Sequence, residues 1–211
     1  MTSSIVLYGN RPLSSPYVLA AFVALEEKGL PYELRLLDLN EGEHGKPEYT
    51  AASLTARVPS LVHDGFWLSE SSAICEYLED SFAPPEYPAL YPRDLRERAR
   101  VRMVQALVRT DFLPIRLERS TDTVFHGAAV QPLSAAALAS VDRLYRVASQ
   151  LVGDGRGSIA SSFSIADVDL AMMLQRLLAN RDAIPEPLAS YARGIWERPS
   201  VQKWLARVRK S

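Results

Sequence analysis

The chain has 211 residues, 47% of them hydrophobic and 23% charged, which is ordinary for a globular protein and enough to bury a real core. A formal net charge of −1 leaves no global field to attract nucleic acid or an anionic membrane. The single cysteine, Cys75, excludes an internal disulfide framework and fits a reducing compartment.

The start, Met1-Thr2-Ser3-Ser4, lacks a basic segment, and the apolar stretch after it is too short for a signal peptide. The longest apolar run, Tyr17 to Leu25, is about half a membrane span and is closed by Glu26-Glu27-Lys28. A soluble cytoplasmic protein without a membrane anchor is expected.

Ile5 to Tyr8 reads as a short buried strand ended by Gly9-Asn10. From Pro16 to Lys28 the apolar residues fall at helical spacing, with proline at the helix start and Gly29 where the helix stops. Tyr32 to Leu39 alternates as a second strand, and the helix between makes the pair parallel. Asn40 to Thr55 is polar, with room for a weak short helix. Ser60-Leu61-Val62-His63 and Phe66-Trp67-Leu68 flank Asp64-Gly65, the strongest hairpin signal in the chain. Ser69 is placed to cap a helix over Glu70 to Phe82. The predicted order is therefore β-α-β-α-β-β-α.

Residues 83–92 carry four prolines, which cannot continue a helix and read as a semi-rigid connection. After it the pattern is helical, over about 93–119, 133–152, 164–179, 185–197 and 198–209. The boundaries implied are a first domain over 1–83, a linker over 84–92 and a helical domain over 93–211.

Three segments could carry chemistry, each with a plain alternative. Val58-Pro59 stands directly before a strand; an X–Pro bond is the common route to a cis peptide, which would turn the Val58 backbone outward, though a trans loop proline also fits. Ser69-Glu70-Ser71-Ser72 opens a helix, whose bare N–H groups suit an anion, while Glu70 offers an acceptor for an ammonium; ordinary capping is the alternative. In Ser14-Ser15-Pro16-Tyr17 a hydroxyl at a helix mouth could donate to a thiolate, or simply cap.

The three together, in this order, resemble the cytosolic glutathione transferases. The resemblance runs along the whole chain: Val58-Pro59, then Glu70-Ser71-Ser72-Ala73-Ile74, the proline linker, and Ser164-Ile165-Ala166-Asp167, which is similar to the family's capping box. It is strongest to a bacterial subgroup with Ser-Pro-Tyr after the first strand and Pro-Ile-Arg in the helical domain. It implies a thioredoxin-like α/β domain followed by an all-helical domain. It also implies a homodimer, and a detoxifying enzyme in which a serine activates the thiolate of glutathione for attack on small electrophiles. Peroxide reduction, isomerisation and a non-catalytic binding module of the same fold stay open.

By position, the resemblance assigns the thiolate donor to Ser15, with Ser14 as the alternative. Val58, before Pro59, would pair with the cysteinyl backbone, and Glu70 and Ser71 would hold the γ-glutamyl group. Arg57 and His44 match positions near the glycyl carboxylate, with a solvated loop histidine as the other reading of His44. Thr110, Asp111 and Arg116, around Pro114, are the expected electrophile-pocket residues, in the region of the helical domain that faces the cleft in this fold, with a helix end packed against the linker as the other reading. No metal is expected: His63 and His126 show no ligand or triad spacing. Cys75 reads as a packed thiol, and the absence of cysteine at 14–17 excludes mixed-disulfide chemistry at that loop. The arginines from Arg93 to Arg102 alternate with Asp94 and Glu97, as on a solvated or dimer-facing helix rather than a nucleic-acid face.

Overall fold

The computed structural model describes residues 4–127 and 131–210; the expectations for residues 1–3, 128–130 and 211 lie outside them. Two compact units divide the chain: Met1–Leu90 with Lys203–Ser211, and Tyr91–Gln202. The border falls inside the proline-rich 84–92 segment.

In the first unit, β1 (Ile5–Asn10), β2 (Glu33–Leu37), β3 (Ser60–His63) and β4 (Phe66–Ser69) form one mixed sheet in the order β2-β1-β3-β4. β1 runs parallel to β2 and antiparallel to β3, and β3 pairs with β4 across the Asp64-Gly65 turn. Both turn residues have positive φ, 49° and 87°, as a tight hairpin of matching twist requires. Between β1 and β2 lies α1 (Pro16–Lys28), whose residues Val18 to Leu25 are all buried. Gly9 lets β1 approach it closely, since a Cβ there would come within 2.9 Å of Val18 Cγ1. The Phe22 ring of α1 meets fully buried Trp204, at 5.2 Å between centroids, on the returning end of the chain.

α1 ends at Gly29 in the left-handed region, φ 64°, with its N–H returned to the Glu26 carbonyl. Nothing lies within 4 Å of a Cβ added there, so Gly29→Ala costs backbone strain alone. The expected loss is about 1 kcal/mol, read as a lower urea midpoint with unchanged slope.

The 40–55 segment holds a 3₁₀ turn (Glu43–Gly45) and α2 (Pro47–Thr50). α3 (Ser71–Ser81) follows β4. Its cap differs from the sequence expectation. Glu70, not Ser69, is the N-cap residue, because Ser69 still pairs with Ser60 as the last residue of β4. A buried ion pair ties α1 to α3: Lys28 Nζ lies 2.6 Å from Glu79 Oε2 and donates to the Phe82 carbonyl at 2.8 Å. The same Glu79 oxygen accepts the Leu90 N–H, so the proline-rich segment is tied down at its end.

The second unit is helical: α4 (Leu95–Thr110), α5 (Leu113–Glu118), α6 (Thr121–His126), α7 (Ala135–Val152), α8 (Ile165–Ala179) and α9 (Glu186–Trp196), with α10 (Pro199–Val208) crossing into the first unit. The single helix expected over 93–119 is two. Phe112, buried and left-handed at φ 59°, breaks it before Pro114, which sits in the first turn of α5. α6 was not expected from the sequence pattern, being short and polar. Among the described residues no helix is long and apolar enough to cross a membrane.

The Ser164–Asp167 capping box opens α8, and both residues are fully buried. Asp167 Oδ2 accepts the Ser164 N–H at 2.7 Å, while Oδ1 accepts the Ile159 N–H at 2.8 Å and the Tyr191 hydroxyl at 2.7 Å. Burial pushes the Asp167 carboxyl up from its ordinary range, against the pull of these donors. One side chain thus joins the preceding loop, α8 and α9.

Candidate functional site

Strand register gathers the predicted residues of the first unit at one end of the sheet. Tyr8 is opposite Ser60, and Ser60 opposite Ser69, so the chain just after β1, just before β3 and just after β4 emerges side by side. Asn10 is opposite Leu37 on parallel β2, which adds the segment leading to His44. Three inter-strand gaps span about 14 Å, a width that takes an extended tripeptide of about 10 Å.

The loop after β1 carries both serines. Ser15 is the N-cap of α1; its Oγ accepts the Val18 N–H at 3.3 Å. That bond uses a lone pair and leaves the hydroxyl proton free to donate, so capping and thiolate binding are compatible. Pro16, next in line, has no N–H to offer. Ser14 Oγ accepts from Asn10 Nδ2 at 3.1 Å. Both serines are half-buried.

At the neighbouring position the Val58–Pro59 peptide is cis. Among the described residues no partner takes the Val58 N–H or C=O. Beneath it, a buried hydroxyl cluster fixes the chain. Tyr49 Oη donates to the Arg57 carbonyl at 2.8 Å, and Ser60 Oγ reaches the same oxygen at 3.1 Å. Ser53, Ser60 and Ser69 Oγ lie 3.0 to 3.3 Å apart, tying the 53–57 loop to β3 and β4. Burial raises the Tyr49 hydroxyl above its usual range, which keeps it a donor. The Arg57 side chain is exposed.

At the third position Glu70 has φ 73° and ψ 114°, a conformation rare for a residue with a side chain and costing about 1–3 kcal/mol. Its carboxylate makes no capping bond. Ser71 is 1% exposed, yet its Oγ has no partner among the described residues. A buried hydroxyl left unpaired costs about 1–3 kcal/mol, so this helix start is poorly explained as capping alone. His44, in the 3₁₀ turn, and Thr55, in the loop before Arg57, present the same feature at Nδ1 and Oγ1. Thr55 had no sequence signal beyond its neighbours.

Two of the helical-unit candidates, Thr110 and Asp111, are engaged within their own unit. Thr110 Oγ1 lies 3.0 Å from Asp111 Oδ2, and Asp111 forms an ion pair with Arg143 of α7. The Arg143 guanidinium also lies over the Phe112 ring, 5.8 Å from its centroid. Arg116 is on α5 and half-buried. Of the histidines outside the sheet end, His63 Nδ1 is 2.7 Å from the Tyr77 hydroxyl and His126 is exposed. Cys75 is fully buried. Among the described residues no group of three His, Cys, Asp or Glu side chains could hold a metal ion.

Two cavities are also present, the first beside the His44 turn and the second in the helical unit. One of about 320 Å³ opens beside α2 at Tyr8, Tyr49 and Trp67. The other, about 670 Å³, lies in the helical unit against the 153–157 glycine-rich loop and α9.

Residues 14–81 match the family model of the glutathione S-transferase N-terminal domain, and residues 94–210 that of its C-terminal domain. The chain is 34% identical over 128 residues to human glutathione S-transferase theta-1, covering 58% of this chain and 52% of that one. It is 43% identical over 96 residues to maleylacetoacetate isomerase of Pseudomonas aeruginosa, covering 44% of each. The match spans only 33% to 52% of the length of human theta-class relatives. A solved Burkholderia glutathione transferase homologue with bound glutathione superposes with a TM-score of 0.81 at 36% identity, covering 99% of both chains. With both family models matched and the sheet order observed, the chain belongs to the glutathione S-transferase family.

Proposed function

We propose that this chain is a cytoplasmic, homodimeric, serine-type glutathione transferase. Glutathione lies across the end of the sheet, its cysteinyl backbone on Val58, its γ-glutamyl group on Glu70 and Ser71, and its glycyl carboxylate near Arg57 and His44. Its sulfur rests at Ser15, or at Ser14 in the alternative. The reading is carried by the row of polar groups that have no partner among the described residues: the Val58 backbone, Ser71 Oγ and His44 Nδ1. A γ-glutamyl end carries an ammonium and a carboxylate side by side, which Glu70 and the α3 N-terminus complement in sign. Glutathione bound to the Burkholderia homologue supports the choice of ligand.

The serine hydroxyl and the α1 dipole favour the thiolate over the thiol, at about 1.4 kcal/mol for each unit of lowered pKa. The thiolate attacks an electrophilic carbon; the C–S bond forms as the leaving group departs with its electron pair. The protein supplies orientation and charge stabilisation, with no resident metal. Thr110, Asp111 and Arg116 are proposed to contact the electrophile, with Asp111 and Arg116 suiting a polar one. A second reading, glutathione-dependent isomerisation, is favoured by the similarity to maleylacetoacetate isomerase and to the maleylpyruvate isomerase of Ralstonia.

Calorimetric titration with glutathione is expected to show one site per chain. A panel of aryl halides, organic hydroperoxides and cis-unsaturated diketo acids then separates transferase, peroxidase and isomerase activity. Absence of glutathione binding would leave the non-catalytic module of this fold as the explanation.

A further inference from the structure

We propose that Asn10 is a positioning residue for the activating hydroxyl; this rests on the serine reading above. Asn10 is the last residue of β1 and is 5% exposed. Three groups of the following loop converge on it. Its carbonyl accepts the Leu13 N–H at 2.9 Å, its Oδ1 accepts the Ser15 N–H at 3.2 Å, and its Nδ2 donates to Ser14 Oγ at 3.1 Å. The Ser15 N–H can only donate, so the atom facing it is the amide oxygen, and the amide nitrogen faces Ser14.

This one side chain holds both serines in place. Ser14 is held as an acceptor by the amide nitrogen. Ser15 is fixed through its backbone, at φ −75° and ψ 119°, and its side chain stays free to cap α1 and to donate its proton. The loop needs such a clamp: Leu13 is buried at φ 51°, a conformation that costs about 1–3 kcal/mol and persists only where neighbours hold it. Without the Asn10 amide the Ser15 N–H loses its acceptor, and the loop can relax. The hydroxyl then drifts from the place where it meets a thiolate, without any loss of the groups assigned to the rest of the tripeptide.

The test is a double-mutant cycle read as the apparent pKa of the bound thiol, from the ultraviolet absorbance of thiolate in the glutathione complex. Ser15→Ala is expected to raise that pKa by about one to two units, and Asn10→Ala by about one, with glutathione affinity within about threefold of the parent in both. Asn10→Ala added to Ser15→Ala is expected to produce no further rise, because Asn10 acts through Ser15. An equal rise in both backgrounds, or a lowered melting temperature with an unmoved pKa, overturns the positioning role. If Ser15→Ala itself leaves the pKa unmoved, the serine reading fails instead. Where Asn10→Ala does not yield folded protein, Asn10→Ser, too short to reach both partners, completes the same cycle with the same expected outcomes.

Discussion

Ser15→Ala is expected to lower turnover with glutathione by at least about tenfold while leaving glutathione affinity nearly intact. The hydroxyl is expected to interact with the sulfur chiefly once it is ionised, and a hydrogen bond to a charged group contributes about 1.5–3 kcal/mol. At about 1.4 kcal/mol per decade, that corresponds to roughly tenfold to a hundredfold in rate. The selectivity for turnover follows because the tripeptide is assigned other anchors, at Val58 and at residues 70–71. Ser14→Ala is expected to have the smaller effect, since Ser15, as the N-cap of α1, is the serine placed at the helix N-terminus, where the dipole also favours a thiolate. Steady-state kinetics with varied glutathione checks both variants. Unchanged turnover in the two would remove the serine mechanism.

A larger loss of stability is expected at Asp167, far in sequence from the proposed chemistry. Asp167→Ala leaves the Ile159 and Ser164 N–H groups and the Tyr191 hydroxyl without their shared acceptor, all in the interior. Each stranded donor costs about 1–3 kcal/mol, so a total of at least about 3 kcal/mol is expected, enough to remove much of the stability of an ordinary domain. Asp167→Asn keeps one carbonyl oxygen for Ile159 and Tyr191 and is expected to fall between the parent and alanine. Urea unfolding followed by circular dichroism checks the order, and an alanine variant as stable as the parent contradicts it.

The elements that announce themselves in sequence are those governed by local rules. The Asp64-Gly65 turn, the Pro16 start and Gly29 stop of α1, and the proline-rich break were legible because φ preference and missing N–H groups act within a few residues. The α4–α5 division was not, because it depends on Phe112 taking φ 59°, which nothing in its own side chain requires. Ser69 misled as a cap because pairing with Ser60 decides its conformation, and that pairing is non-local. At the candidate site, the residues tied to a motif could be named in advance. Asn10 and the hydroxyl cluster of Tyr49, Ser53, Ser60 and Ser69 could not, since their partners meet only through sheet register. The strongest structural support for the site is also invisible in sequence: Ser71 Oγ is buried with no partner among the described residues.

Glutathione binding across the sheet end is tested most directly by the crystal structure of this chain with glutathione bound. The tripeptide is expected across the end of the sheet, paired with the Val58 backbone, its γ-glutamyl carboxylate on Ser71 and its sulfur within hydrogen-bonding distance of Ser15 Oγ. Glutathione bound elsewhere, or with its sulfur away from both serines, would contradict this expectation.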